Sequence, residues 1–419
     1  MNKKRVWALV AVACAAVLMI AGYLAVTALT KEPEQKEEVI FSAGSIEEIG
    51  LTYKGEEMRF KKSGGQWVYA DDEAYPLNTA YLRDMSDALL SVVSAGRIES
   101  ENLTEYGLDK PDCKLTAVTG EGTVFSCALG NKNETANVVY VLYEDEIYTV
   151  EQGFSTKFRH TLIEMAAKQQ LIDIQPSEAE SLLVENSEGT AKFEKTDKGS
   201  LPGSLQWEVN GIPADTASIS SLIRQMASLK AEECLCYMPD EMTLERYGLK
   251  EYAAKAELAY GARSVSAVIG ADISDERVAV YLPNNNLICA YSKQDIEPFL
   301  RASAEECRNK MLFPAEFSLL EGARIELEGS SKSFDFADIE DSWDFYYKLS
   351  TIQADAFADA MPEVSEKTVR ITVSMRSGDY VIELVKYDEE FYAADHFGYV
   401  QLINKRDVEQ LLSISNLVE

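Results

Sequence analysis

Residues 106–130 read YGLDKPDCKLTAVTGEGTVFSCALG, and residues 247–270 read YGLKEYAAKAELAYGARSVSAVIG. Each stretch opens on Tyr-Gly-Leu and closes on an aliphatic residue followed by glycine. In the first stretch, alternating apolar positions at Leu115 to Val118 and Val124 to Leu129 flank Gly120-Glu121-Gly122, the pattern of two half-buried strands joined by a tight turn. Tyr106-Gly107-Leu108 and Tyr247-Gly248-Leu249 are 141 positions apart, and Gly130 and Gly270 are 140 apart.

The same offset holds outside these stretches. Trp67 in GGQWVYA answers Trp207 in SLQWEVN at 140, and Arg83-x-Met85 answers Arg224-x-Met226 at 141. Four unrelated local patterns sharing one spacing identify an internal duplication, which must be recognised before any element is assigned. A third, degenerate copy is expected toward the C-terminus. There Trp343 in DSWDFYY stands for Trp67 and Trp207, and strand-like runs follow at Val369 to Met375, Tyr380 to Lys386 and Tyr399 to Ile403, with no Tyr-Gly-Leu. The divisions expected are a cytoplasmic stub 1–5, a transmembrane helix 6–29, a linker 30–45, and repeat units 46–175, 176–312 and 313–419.

Within the first unit, strands are expected at Ile46 to Tyr53, Arg59 to Lys62 and Gln66 to Ala70, the last two joined by Ser63-Gly64-Gly65. Asn78-Thr79 then caps a helix whose apolar face is Leu82, Met85, Leu89, Val92 and Val93. Strands at Val138 to Leu142 and Ile147 to Val150 follow, and a helix from Phe154 to about Lys168 closes the unit. The second unit repeats the order, its helix at Ser218 to Leu229. The fold class is α+β: one N-terminal transmembrane helix, then repeated, mainly antiparallel sheet units each with a packed helix. The markers Trp67, Tyr106, Gly107, Leu108, Gly130, Trp207, Tyr247, Gly248, Leu249 and Gly270 read as packing residues. The tryptophans are expected to end a strand and fill the gap between sheet and helix, and the glycines to supply a positive φ or a close backbone approach.

Val6 to Leu29 is a run of 24 residues without a charge, long enough to cross a hydrocarbon core of ~30 Å. Lys3, Lys4 and Arg5 precede it, so the positive-inside rule puts the N-terminus in the cytoplasm and the rest outside. Such a chain partners membrane lipid through that helix. A cleaved signal peptide is the competing reading, but its apolar region is shorter, about 7 to 15 residues. The chain carries 40 Lys and Arg against 70 Asp and Glu, a formal net charge of -30, and setting aside the first three basic residues leaves -33. That surface repels phosphate backbones, so no nucleic-acid partner is expected.

The Tyr106-Gly107-Leu108-Asp109-Lys110-Pro111 motif leads into a hairpin ending Leu129-Gly130, then Val139-Tyr140-Val141 and Ile147-Tyr148-Thr149-Val150. Together with the basic-apolar start and the W-x-V before an amphipathic helix, these segments resemble the bacterial family called domain of unknown function 4340, over most of Ile46 to Lys310. The second copy, Tyr247-Gly248-Leu249-Lys250-Glu251-Tyr252, lacks the proline. The resemblance implies membrane-anchored extracytoplasmic proteins, some encoded beside ABC transporters of the gliding-motility type, and supplies no catalytic residue.

Reactive motifs are absent from the sequence. The two histidines, His160 and His396, lie in unrelated settings, and no HExxH, GxSxG, Ser-x-x-Lys or glycine-rich phosphate loop occurs. No catalytic, cofactor-binding or metal-ligating residue is assigned. Asp71-Asp72-Glu73, Glu144-Asp145-Glu146 and Asp388-Glu389-Glu390 offer the oxygen ligands that calcium prefers, but the last two fall where a hairpin turn is expected and a solvated turn explains them without metal. Six cysteines lie outside the span: Cys113, Cys127, Cys234, Cys236, Cys289 and Cys307. Cys113 and Cys127 flank the Gly120 turn symmetrically, so their strands are expected to bring them opposite each other; free buried thiols remain the alternative to disulfides. The functional expectation is an extracytoplasmic accessory or binding protein of the cell envelope, working with a membrane protein complex such as an ABC transporter. The alternative is a carboxylate-dependent hydrolase of cell-wall polymer, which needs two carboxylates ~5 to 10 Å apart in one pocket.

Overall fold

A computed structural model describes Met19 and residues 38–168, 171–196, 206–363, 368–376, 378–395 and 397–417. It contains three sheets, and every strand pairing among the described residues is antiparallel. The first is built from β1 (Glu38–Ser42), β2 (Ile46–Tyr53), β3 (Glu56–Ser63), β4 (Gln66–Tyr69), the helix Thr79–Leu89, β5 (Ser91–Ile98), and the meander β6 (Cys113–Thr119), β7 (Val124–Asn133), β8 (Val138–Tyr143) and β9 (Glu146–Glu151). Side by side these run β1-β5-β9-β8-β7-β6-β2-β3-β4.

The second sheet repeats this plan with β10 (Ser181–Asn186), β11 (Gly189–Lys195), β12 (Trp207–Val209), β13 (Ile212–Pro213), the helix Thr216–Ser228, β14 (Glu233–Tyr237), β15 (Ala254–Tyr260), β16 (Arg263–Asp272), β17 (Arg277–Leu282) and β18 (Leu287–Ser292). Its order is β13-β12-β11-β10-β15-β16-β17-β18-β14. The third uses β19 (Leu320–Leu327), β20 (Ser330–Asp335), the helix Ile339–Thr351, β21 (Ala354–Ala358), β22 (Thr368–Met375), β23 (Gly378–Lys386), β24 (Phe391–Ala394) and β25 (Val400–Asn404), in the order β20-β19-β22-β23-β24-β25-β21. Aligned by role, all three have an opening hairpin, a helix, a strand that follows it, and a four-stranded meander inserted between the hairpin and that strand, which is the sheet's edge in the second and third copies and is covered by β1 in the first. The third lacks a strand corresponding to β4 and β12.

Local chemistry explains the common plan. Two-residue turns with both φ values positive join β2 to β3 through Lys54-Gly55 and β19 to β20 through Glu328-Gly329, matching the twist of a hairpin. Asn78 caps its helix by accepting the Ala80 N–H, and Asp215 accepts from Ala217 and Ser218. The helix Thr79–Leu89 buries Leu82, Met85 and Leu89 against Phe60, Leu115 and Val141 in one core. The chain divides into two compact units, one up to Ala167 and one from Lys168 onward, the latter holding the second and third sheets. Within that unit the buried Asn309 carbonyl accepts from the Tyr399 hydroxyl at 2.8 Å and Gln401 Nε2 at 3.0 Å, tying the third sheet to the segment that leads into it.

Several expectations are corrected. Part of the 30–45 linker is strand: β1 pairs with β5, and its Phe41 stacks on Phe125 with ring centroids 4.4 Å apart. Val92 and Val93 belong to β5 and not to the helix, because adjacent β-branched residues favour the pleated backbone. The helix expected from Phe154 to Lys168 is only Gln152–Thr156 plus a 3₁₀ turn at Ile163–Met165. Tertiary hydrogen bonds hold the rest of that segment: Asn78 N–H donates to Met165 O, Ala167 N–H donates to Pro76 O, and Arg159 bridges the Asp112 carboxylate and the Gly130 carbonyl. Cys113 pairs in register with Leu129, and Cys127 with Leu115, so the two thiols are diagonal and not opposed. Trp343 lies in the helix Ile339–Thr351 and not in a strand. The span expected at 6–29 lies outside the described residues apart from Met19, and among the described residues no helix is long and apolar enough to cross a membrane.

Candidate interaction face

The repeat markers assemble into two equivalent structural locks. The helix Glu241–Arg246 ends at Tyr247, and Gly248 takes φ 65°, the left-handed cap that glycine adopts at least cost. The Gly248 N–H donates to Glu245 O at 2.9 Å and the Leu249 N–H to Leu244 O at 2.8 Å, a Schellman arrangement with Leu249 and Leu244 in one apolar cluster. In the first copy Gly107 has φ 68°, its N–H donates to Thr104 O, and the Leu108 N–H donates to Leu103 O. The freed Tyr106 carbonyl accepts from Asn131 N–H and the Tyr247 carbonyl from Ala271 N–H, each at 2.7 Å. A Cβ on Gly130 would sit 2.3 Å from Tyr106 O, and one on Gly270 2.2 Å from Tyr247 O, so only glycine lets the strand approach the turn. Tyr-Gly-Leu and its distant glycine are one device, sewing a turn onto β7 or β16.

Trp67 and Trp207 sit at the start of their short strands and not at the end, 7% and 2% exposed. Lys62 lies over the Trp67 ring, 5.4 Å from its centroid.

The acidic clusters are occupied by turns and ion pairs. Asp71 pairs with Arg59, Glu73 with Lys61, Glu146 with Arg97 and Glu389 with Lys386. Glu144 and Asp145 form a turn with both φ values positive, and the Asp388 carboxylate accepts backbone N–H groups of Glu390 and Phe391. Among the described residues no group of three His, Cys, Asp or Glu side chains is placed to hold a metal. His160 packs its ring against Tyr81, and burial lowers its pKa against the opposing pull of Glu164; His396 lies outside the described residues.

The first two copies each have a cavity of about 450 Å³, at positions that do not correspond in the repeat. The first is lined by Val92, Phe154, Glu151 and Lys157, and the second by Leu222, Gln225, Arg301, Glu306 and Lys310. A smaller one beside the Gly120 turn contains Glu121. Each of these three has a single carboxylate in its lining, so none provides the acid and base that glycoside hydrolysis needs.

The third copy differs. Its helix Ile339–Thr351 buries Ser342, Phe345 and Leu349 on one face, with Phe345 stacked on Phe334 at 4.2 Å. Ile339, Trp343 and Tyr347, at i, i+4 and i+8, form a second apolar stripe that stands 59%, 46% and 60% exposed. The Trp343 ring rests edge-on against Phe317 at 5.3 Å and tilts against Tyr346 at 5.7 Å, which fixes its base and leaves its outer edge in water. Glu340 and Asp344 border the stripe without an ion pair among the described residues, while Asp341 pairs with Lys332 of β20. Sequence reading missed this face by assigning Trp343 to a strand. The signal lay in the four-residue spacing of Ile339, Trp343 and Tyr347, which runs beside the buried spacing of Ser342, Phe345 and Leu349.

Residues 67–252, from the first tryptophan to just beyond the second Tyr-Gly-Leu, match a protein-family profile described as Domain of unknown function (DUF4340). No curated protein matches the chain.

Proposed function

We propose that this chain, which belongs to the DUF4340 family through residues 67–252, is a membrane-anchored extracytoplasmic binding protein that docks a component of a membrane complex, such as an ABC transporter. The observation that carries the reading is the exposed stripe Ile339-Trp343-Tyr347: three large apolar side chains aligned on one helix face lose hydration when covered by a partner. Tryptophan and tyrosine are also the residues that concentrate binding energy at interfaces. Glu340 and Asp344 beside the stripe, and a formal charge of -30 over the chain, select a partner surface that is apolar at its centre and basic at its rim. A second copy of the same chain brings like charge and fits less well. The uncharged run Val6 to Leu29 supports confinement at a bilayer, where a weak interface suffices because the effective concentration of a membrane partner is high.

The test places a photo-crosslinking amino acid at Tyr347 in the full chain, with Lys250 as a control position, and irradiates intact cells. Crosslinked peptides from a membrane protein, apolar with flanking Lys or Arg, are expected from position 347 and not from 250, and their yield should fall when Trp343 is changed to Ser or when salt is raised in isolated membranes. Equal labelling at both positions, or none at 347 while the purified chain releases fragments from cell wall, rejects docking through this stripe. The second of these results favours the carboxylate-dependent hydrolase.

A further inference from the structure

The second copy contains a cysteine pair that neither the fold nor the docking role uses. Cys234 lies on β14, the last strand of its sheet, and Cys289 on the neighbouring β18; the register sets them opposite one another. Both are buried, their sulfurs are 3.6 Å apart, and the Cys289 thiol donates to the Cys234 sulfur. Opposed Cβ atoms on adjacent antiparallel strands lie about 4.5 to 5.5 Å apart, close to the 3.5 to 4.5 Å that a disulfide spans. Closing the bond therefore calls for side-chain rotation and a small approach of the strands, with no rearrangement of the sheet.

We infer that Cys234 and Cys289 are a redox-active dithiol, which a small disulfide such as oxidised glutathione converts to an intrachain disulfide. The Cys234 thiolate attacks one sulfur of the glutathione disulfide; a mixed disulfide forms and one glutathione thiolate leaves. Cys289 then gives up its proton and attacks the Cys234 sulfur, and the second glutathione departs. The two cysteines lose two electrons and two protons, and one glutathione disulfide becomes two thiols. The order of attack follows from the site. Their shared hydrogen bond, with burial added, raises the pKa of Cys289, and the same bond lowers that of Cys234. Cys234 also lies on the edge strand, which opens first when a sheet frays. Among the described residues no other cysteine is placed for this exchange: Cys113 and Cys127 are diagonal, Cys236 pairs in register with Ile288, and Cys307 lies beyond the sheet. Closure would fix β14 to β18 across 55 positions of sequence, clamping the strand that precedes the second Tyr-Gly-Leu lock.

The experiment equilibrates the purified full chain with oxidised glutathione under native conditions, unfolds it in alkylating reagent and maps its peptides. Alkylatable thiols are expected to fall from seven to five, with one crosslinked peptide joining Cys234 to Cys289, reversed by a dithiol reductant; in Cys234→Ser all six remaining thiols should be alkylated. Seven free thiols in the native chain, a stalled glutathione adduct on Cys234, or a bond from Cys289 to another cysteine overturns the assignment. Because the readout is a bond in purified protein, it stands or falls separately from membrane anchoring and docking.

Discussion

The second and third copies share one strand plan and use their tryptophans in opposite ways. In the second, β12 lies beside β11 and brings Trp207 into the core, 2% exposed; in the third, only three residues separate β20 from the next helix, no strand among the described residues covers the β20 edge, and Trp343 stands on that helix, 46% exposed. Topology thus survives loss of a strand, because the meander and its helix bury enough apolar surface by themselves. What changes is the surface: the same residue type is a core element in one copy and an outward-facing contact in the other. A tryptophan held at its base by Phe317 and Tyr346 pays little conformational entropy on meeting a partner.

The largest expected difference lies between these two tryptophans. Trp207→Ala should destabilise the second unit by about 3 to 5 kcal/mol, a buried aromatic truncation with a cavity left behind. Trp343→Ala should cost under about 1 kcal/mol of stability, because most of its outer edge is already hydrated, while abolishing the crosslink at Tyr347. Urea unfolding of the two variants checks this, and equal losses would erase the distinction between core and contact tryptophan.

How much of this was legible depended on whether a residue's role is local. The Tyr-Gly-Leu turns and Gly130 and Gly270 could be read because left-handed φ and close approach leave only glycine, whatever the neighbours. The helix start at Asn78 and most strands followed from capping and alternation. The segment Phe154 to Lys168 was misread because its backbone hydrogen-bonds to Pro76 and Asn78 and its Arg159 side chain donates to Asp112 and Gly130, partners that periodicity cannot see. Trp343 was misread because the duplication suggested a strand, and only the fold reveals that the third copy omits it. The cysteine pairing was equally hidden: the symmetric spacing of Cys113 and Cys127 gave a diagonal pair, whereas the opposed pair joins strands with a helix and a three-strand meander between them.

The glycine lock sharpens the comparison, since the third copy does without it. Gly270→Ala should cost roughly 2 to 3 kcal/mol, because the added Cβ meets the Tyr247 carbonyl and Leu249 Cδ2, and the backbone must shift to relieve it. The loss should be confined to the second unit, with the first unit's transition unmoved; a shift of both would show that the locks are not local. In the third copy the helices Ile339–Thr351 and Lys405–Ile414 are instead joined by Lys348 and Asp407, a partly buried ion pair of 2.6 Å. Lys348→Met is expected to cost about 1 to 2 kcal/mol, more than an exposed pair contributes and less than the glycine substitution, again measured by urea unfolding.

The smallest effect expected separates the first unit from the second through His160, the one histidine among the described residues. Burial against Tyr81 penalises its charged form and lowers its pKa below the ordinary value of about 6.5, and the nearby Glu164 carboxylate offsets only part of that shift. The folded state therefore binds the proton less readily than the unfolded chain. Stability is fully present above the unfolded value and declines as pH falls from there through the folded value, because over that window the unfolded state takes up more protons. The first unit's transition should move to lower urea between pH 7 and pH 5.5, before most carboxylates titrate, while the second unit's changes less. His160→Gln keeps a planar polar side chain that does not titrate in this range, so it should flatten the slope without abolishing folding. A first unit whose pH slope is the same with Gln as with His would assign the dependence to its carboxylates, and His160 would then be a packing residue without an electrostatic role.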